Sequence, residues 1–189
     1  MFCRKLATGE RFSKRGDHMA KSKKLITLAA LSSALFATSA SALILPISVG
    51  ADAGITDVKY KGRSATGYFW AINGKLHLND FTSIYTGYGE TTADIPDENG
   101  VDQDFTSTSI PLALQVNIPI VLGDVYVRGG GNYYDNTYAM EKEDGWGLLG
   151  AVGINLSPGI GPGLAVELTY RDAGSAETSS IGVGASLNF

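Results

Sequence analysis

From Ile47 to Phe189 polar and apolar residues alternate with a period of two, the signature of strands with unlike faces. In one segment Ile181, Val183, Ala185, Leu187 and Phe189 oppose Ser180, Gly182, Gly184, Ser186 and Asn188. In another Leu164, Val166, Leu168 and Tyr170 oppose Ala165, Glu167, Thr169 and Arg171. Trp146, Leu148, Val152, Ile154 and Leu156 oppose Gly147, Ala151, Gly153 and Asn155. Ile110, Leu112, Leu114, Val116 and Ile118 oppose Ser109, Pro111, Ala113, Gln115 and Asn117. Ile47, Val49, Ala51, Ala53 and Ile55 oppose Ser48, Gly50, Asp52, Gly54 and Thr56. Three segments carry the pattern less cleanly. Residues 65–78 set Trp70, Ile72, Leu76 and Leu78 against Asn73, Lys75 and His77; residues 125–136 set Val125, Val127 and Tyr133 against Tyr126, Arg128 and Asn132; residues 81–90 have no evident phase. The run Gly129–Gly131 within the second of these suggests a bend or bulge. The pattern predicts eight strands.

The connections add a direction. A tight hairpin is expected at Leu78-Asn79-Asp80-Phe81, where Asn and Asp tolerate positive φ, and compact Pro/Gly turns at 119–124 and 157–163. Longer, charged loops are expected at about 59–64, 91–104, 137–145 and 172–177. Short turns at one end and longer loops at the other are the layout of a transmembrane β-barrel, with the termini of an even-stranded barrel on the short-turn, periplasmic side. Tyr68, Trp70, Tyr88, Tyr133, Trp146 and Tyr170 fall toward the long-loop ends, and Phe81 and Phe189 toward the short-turn ends. Two aromatic levels are expected of interfacial girdles.

The residues upstream have another character. Lys21, Lys23 and Lys24 precede an apolar run from Leu25 to Ala37 and the small-residue triplet Ala40-Ser41-Ala42. Residues 19–42 therefore read as a secretory signal cleaved after Ala42, and residues 1–18 as an extension ahead of a translation start at Met19. The exported part, 43–189, carries seven Lys and Arg against 17 Asp and Glu, a formal charge of −10. Such an acidic chain is a poor nucleic-acid binder. Cys3 lies in the discarded part, so no disulfide or thiol chemistry is expected. With no long apolar run after the signal, a membrane-spanning form cannot be helical.

With its signal peptide, its eight-segment plan and the closing strand Ile181-Gly182-Val183-Gly184-Ala185-Ser186-Leu187-Asn188-Phe189, the chain resembles the OmpA/OmpX-type family of small outer-membrane barrels over essentially all of 43–189, in the barrel-only form without a peptidoglycan-binding domain. The resemblance implies an all-β, eight-stranded antiparallel up-and-down barrel in the outer membrane of a Gram-negative bacterium. It also implies contact with outer-membrane lipid and lipopolysaccharide, and insertion by an assembly machinery that reads the last strand through Phe189. A monomer without cofactors is expected.

Five charged residues fall on the polar phase of their strands: Asp52, Lys75, Arg128, Glu167 and Arg171. Charge on the lipid face is costly near the midplane, so these belong inside, as an ion-pair network in a side-chain-filled lumen; the sharper alternative is a gated ion path. The acidic stretch Glu90, Asp94, Asp97, Glu98, Asp102 and Asp104 offers oxygen ligands but reads as a solvated loop without fixed metal geometry. His77 is the only histidine of the exported part; it falls at the short-turn end of its strand, away from the membrane's outer edge, and has no obvious serine neighbour, which argues against a Ser-His-acid hydrolase. The expected function is a non-enzymatic barrel with a structural or surface-interaction role through four extracellular loops. The alternatives are a narrow-pore ion channel and a soluble lipocalin-like barrel, which would be apolar inside and polar outside.

Overall fold

Eight strands form where the alternation places them: β1 Ile47–Tyr60, β2 Arg63–Asn79, β3 Thr82–Pro96, β4 Asp102–Ile120, β5 Gly123–Tyr138, β6 Glu141–Leu156, β7 Gly161–Ala173 and β8 Ala176–Asn188. The structure, a computed structural model, describes residues 46–156 and 160–189; the expected signal peptide, its cleavage after Ala42 and the 1–18 extension lie outside these residues. Each strand pairs antiparallel with its neighbour in sequence, and β1 pairs with β8 from Ser48↔Asn188 to Tyr60↔Ala176, closing the barrel. Closure pairs every strand on both sides through the middle of the barrel, as a hydrocarbon environment demands of a β structure; distally the β6–β7 ladder ends at Leu149↔Arg171, and residues 141–148 of β6 pair with β5.

Every phase expected from the sequence holds. On β4, Leu112, Leu114 and Val116 face outward, half exposed, while Ala113, Gln115 and Asn117 are buried inside. Register extends this across the barrel: Gln115 pairs with Arg128, Arg128 with Ala151, and Ala151 with Thr169, all inward. The undecided β3 follows from Lys75↔Tyr85 and Tyr85↔Ala113, which turn Ser83 and Tyr85 inward and Ile84 and Tyr88 outward. This apolar-out, polar-in middle is not the arrangement of a lipocalin-like barrel. Outward Trp70 and Tyr88 meet at 5.8 Å between ring centroids, and Tyr133 and Trp146 at 5.7 Å, forming an aromatic level with exposed Tyr68 and Tyr170. Phe81 and Phe189 are exposed at the other end.

Three expectations are corrected. Gly129–Gly131 continues both ladders without a break; the register shift lies instead at His77/Asn79, between β2 and β3. Inward Gly130 is required by closeness, because a Cβ there would stand 2.3 Å from the Leu112 carbonyl oxygen. At the Asp80–Phe81 turn neither Asn79 nor Asp80 has positive φ; the Asn79 side chain closes the turn by accepting the Phe81 N–H at 2.9 Å. Most important, the four long loops are largely strand. Their connections shrink to Lys61–Gly62, 97–101, Ala139–Met140 and Gly174–Ser175. Lys61 and Gly62 have φ of 47° and 82°, the doubly positive pattern of a tight hairpin turn.

These stretches look like loops because the polarity inverts beyond the aromatic level. There the outward face carries Asp57, Lys59, Asp94, Asp104, Asp135, Asp144 and Glu177, all exposed. The inward face carries Val58, Tyr60, Ala93, Ile95, Phe105, Tyr134, Tyr138, Ala173 and Ala176, which form one buried apolar cluster. Tyr60 touches Phe105 and Tyr138 at 5.6 and 4.9 Å between centroids. This distal end is therefore built like a soluble protein, apolar inside and charged outside, on top of a membrane-type middle.

Small inward residues make room for large ones in so narrow a tube. A Cβ on Gly182 would lie 2.5 Å from Phe69 Cζ. Gly182→Val should overpack this site and cost about 1–3 kcal/mol, read as a lower urea midpoint of the refolded barrel. At 97–101, Asp97 Oδ1 accepts the N–H groups of Val101 at 2.9 Å and Asn99 at 2.8 Å. These two bonds, Val101's foremost, hold its carboxyl below the ordinary value of 3.8. A depressed carboxylate stabilises the turn above the unfolded pKa, and that support is lost as pH falls through the folded value. The amide resonances of Asn99 and Val101 should therefore titrate together below pH 3.8, and Asp97→Asn should abolish that titration.

Candidate functional site

The middle of the lumen is organised around Arg128 on β5. Its guanidinium meets the Glu167 carboxylate of β7, with Nη2 2.9 Å from Oε2 and Nη1 donating to Oε1 at 3.2 Å. Nε and Nη2 also donate to Gln115 Oε1 on β4 at 3.2 and 3.0 Å. Beneath it the Tyr85 ring lies 3.4 Å from Arg128 Cζ. Glu167 accepts two further bonds at 2.5 Å, from the Tyr126 hydroxyl and from Thr169 Oγ1. A planar cation with a forked donor set suits such a site, and the hydroxyls occupy carboxylate lone pairs that would otherwise be left bare in a poorly hydrated interior.

All five charged residues expected inside lie on inward phases, and two of them pair. Arg128 and Glu167 form the ion pair just described. Asp52 instead accepts Asn73 Nδ2 at 2.5 Å, and Gly184 leaves the space its carboxylate occupies. Lys75 is buried with its Nζ 5.5 Å from the Tyr126 ring centroid. Arg171 is buried 5.8 Å from the Phe69 ring centroid, and its Nε has no hydrogen-bond partner among the described residues. Of these five, two therefore form an ion pair and three are held separately. Tyr85, Gln115, Tyr126 and Thr169 complete the site without carrying charge, so a search for charges passes over them.

His77 requires a correction. Its ring lies between two serines, with Nε2 2.7 Å from Ser48 Oγ and Nδ1 2.9 Å from Ser83 Oγ. The register brings them together: Ser48 faces Lys75 across β1–β2, and His77 faces Ser83 across β2–β3. Ser83 also accepts Asn117 Nδ2 at 3.3 Å. The acidic stretch is redistributed as well. Glu90, Asp94, Asp102 and Asp104 lie on strands, Ile95 between them is fully buried, and Asp97 is engaged by backbone. No group of three or more potential metal ligands occurs among the described residues.

At the end bearing the termini the lumen widens into a vestibule of about 740 Å³, lined by Ser48, Lys75, His77, Asp80, Asp124 and Asn155 among others. At the opposite end the apolar cluster around Phe105 fills it. The barrel is thus open toward one end, braced by the Arg128–Glu167 pair in the middle, and filled by hydrocarbon and aromatic side chains at the other.

Comparison with known proteins agrees with this architecture. Neisserial surface protein A superimposes with a TM-score of 0.63 at 15% identity, covering 76% of this chain and 97% of that one. Ail, the attachment invasion locus protein of Yersinia pestis, gives 0.56 at 14% identity, over 78% of this chain and 100% of that one. The outer membrane protein OprG of Pseudomonas aeruginosa gives 0.53 at 14%, over 77% and 97%. At such identities these likenesses establish the fold. No curated protein matches the chain. The family profile described as "Outer membrane protein beta-barrel domain" matches residues 26–189, so the chain belongs to the outer membrane protein β-barrel domain family and is a protein of the outer membrane.

Proposed function

We propose that this barrel is a non-enzymatic surface protein whose distal end contacts cationic partners outside the cell, with the termini and the vestibule facing the periplasm. The observation that carries this reading is the charged collar beyond the aromatic level. Three of its cations are already engaged: Lys61 with Glu141 at 2.5 Å, Arg63 with Glu98 at 3.3 Å and Lys59 with Glu177 at 3.7 Å. Exposed Asp57, Asp94, Asp104, Asp135 and Asp144 form no ion pair among the described residues. Asp94 stands directly opposite Asp104, and Asp135 opposite Asp144. Like charges facing each other across a ladder are destabilising, so a cationic surface docking here relieves repulsion as it binds. Ail has been solved with a heparin analogue, sucrose octasulfate; the acidic collar of this chain favours the opposite charge.

The non-enzymatic part rests on His77. Both its ring nitrogens face serine hydroxyls, whereas a hydrolytic relay needs one of them on a carboxylate. The filled distal end and the braced middle speak against an open channel, since eight strands leave an interior just wide enough for side chains. Monomeric insertion through the outward Ile181, Val183, Ala185, Leu187 and Phe189 of the last strand belongs to the same reading.

The test compares cells with and without the protein for binding of cytochrome c as a basic probe. Expression should raise binding in a salt-sensitive way. Asp94→Asn with Asp135→Asn should remove most of the gain, and equal binding by both strains would contradict the proposal.

A further inference from the structure

The vestibule at the terminal end presents charges of opposite sign at two depths. Lys75 lies four positions inside the end of β2 and is 9% exposed. Its ammonium makes no hydrogen bond or ion pair among the described residues; it lies against the Tyr126 ring, in the field of Asp52, Glu167 and Asp124. The neighbouring cation, Arg128, is committed to Glu167 and Gln115. Lys75 is therefore the cation on the vestibule wall with donors to spare, and three donors on a desolvated ammonium call for an anionic acceptor.

The complementary charge lies nearer the mouth. Asn155 on β6 donates Nδ2 to Asp124 Oδ2 at 3.1 Å. That bond fixes which way the amide points. Its Oδ1 has no donor among the described residues and is closed off from the open space, so the Asp124 carboxylate is the acceptor that this pair presents. Asp124 sits at the start of β5 and Asp80 in the β2–β3 turn, and both line the same space. The vestibule thus presents acceptors near its mouth and a spare cation deeper in. Its volume of about 740 Å³ lies in the range of small-molecule sites, roughly 300–1,000 Å³, and exceeds the needs of a simple inorganic ion.

We propose that the vestibule is a binding site for a small zwitterionic solute of the amino-acid or short-peptide class, its carboxylate at Lys75 and its ammonium at Asp124. Ser48 and His77 supply polar wall between the two ends. An anion alone would leave the acidic mouth unanswered, and a cation alone would leave Lys75 so. The site is independent of the charged collar at the other end and stands whether or not that collar binds cationic partners.

The probe is the dipeptide Ala-Ala, titrated into the full-length barrel refolded in detergent and followed by amide NMR. Saturable shifts are expected at Ser48, Lys75 and Asn155. N-acetyl-Ala-Ala, which lacks the ammonium, and Ala-Ala amide, which lacks the carboxylate, should each bind about tenfold more weakly, the loss of one charge-assisted contact. Lys75→Met should bind Ala-Ala and its amide alike, and Asp124→Asn should no longer discriminate the acetylated form. The proposal is overturned if Ala-Ala gives no saturable shift in the millimolar range. It is overturned equally if the capped forms bind as tightly, or if Lys75→Met keeps the preference for a free carboxylate. Should either variant fail to refold, the comparison of free and capped peptides on the unaltered chain decides the matter.

Discussion

Replacing Arg128 with methionine is expected to destabilise the barrel by about 3–5 kcal/mol, because it strands a carboxylate in the lumen. Glu167 would keep its bonds from Tyr126 and Thr169 but lose its cation. The loss should not stop at one side chain, since Gln115 accepts two of the Arg128 donors and Tyr85 stacks beneath it. The double variant Arg128→Met with Glu167→Met should recover most of the loss, because exchanging a whole buried pair for apolar groups is often near neutral. Urea unfolding of the refolded barrel, followed by tryptophan fluorescence, measures all three proteins. If the double variant is no more stable than Arg128→Met alone, the pair is not what the single substitution breaks.

The second large effect belongs to the distal end. Phe105→Ala should cost about 3–5 kcal/mol, as expected for emptying a well-packed aromatic site. Phe105 is 1% exposed and touches Tyr60 within the apolar cluster. Leu114→Ala, on the lipid-facing side of the same strand, is 50% exposed and leaves a gap that lipid can fill, so it should cost far less. The contrast is specific to the inverted polarity. Were the distal interior hydrated like a loop cluster, both substitutions would be mild. The same unfolding experiment reads both, and similar small losses would show that the cluster is not a core.

The membrane-type middle was legible in the sequence because a period of two needs no knowledge of neighbours. Leu112 against Ala113, or Val166 against Glu167, states which face meets lipid. The phase of β3 was not legible, because Tyr85 faces in and Tyr88 faces out, and tyrosine suits both a polar lumen and an interfacial girdle. The distal strands resemble loops in the sequence for a related reason. Asp94-Ile95 and Asp104-Phe105 still alternate, but with polarity reversed, and dense charge reads as loop when only one polarity is expected. The charged members of the lumen were visible one by one. Which of them pair was not, because Arg128 and Glu167 are brought together by the registers of β5, β6 and β7. The serines beside His77 were hidden likewise, one being 29 residues distant in sequence.

The central claim is a barrel whose middle turns apolar residues to lipid and polar residues to its interior. Spin labels at single cysteines placed in turn at each position from 110 to 117, in the bilayer-inserted protein, test it most directly through collision with lipid-dissolved oxygen and with a water-soluble nickel chelate. The account predicts oxygen accessibility that peaks at 110, 112, 114 and 116 and falls at 111, 113, 115 and 117. A pattern without that alternation, or one in which 112 and 114 meet the aqueous probe while 113 and 115 do not, would contradict it.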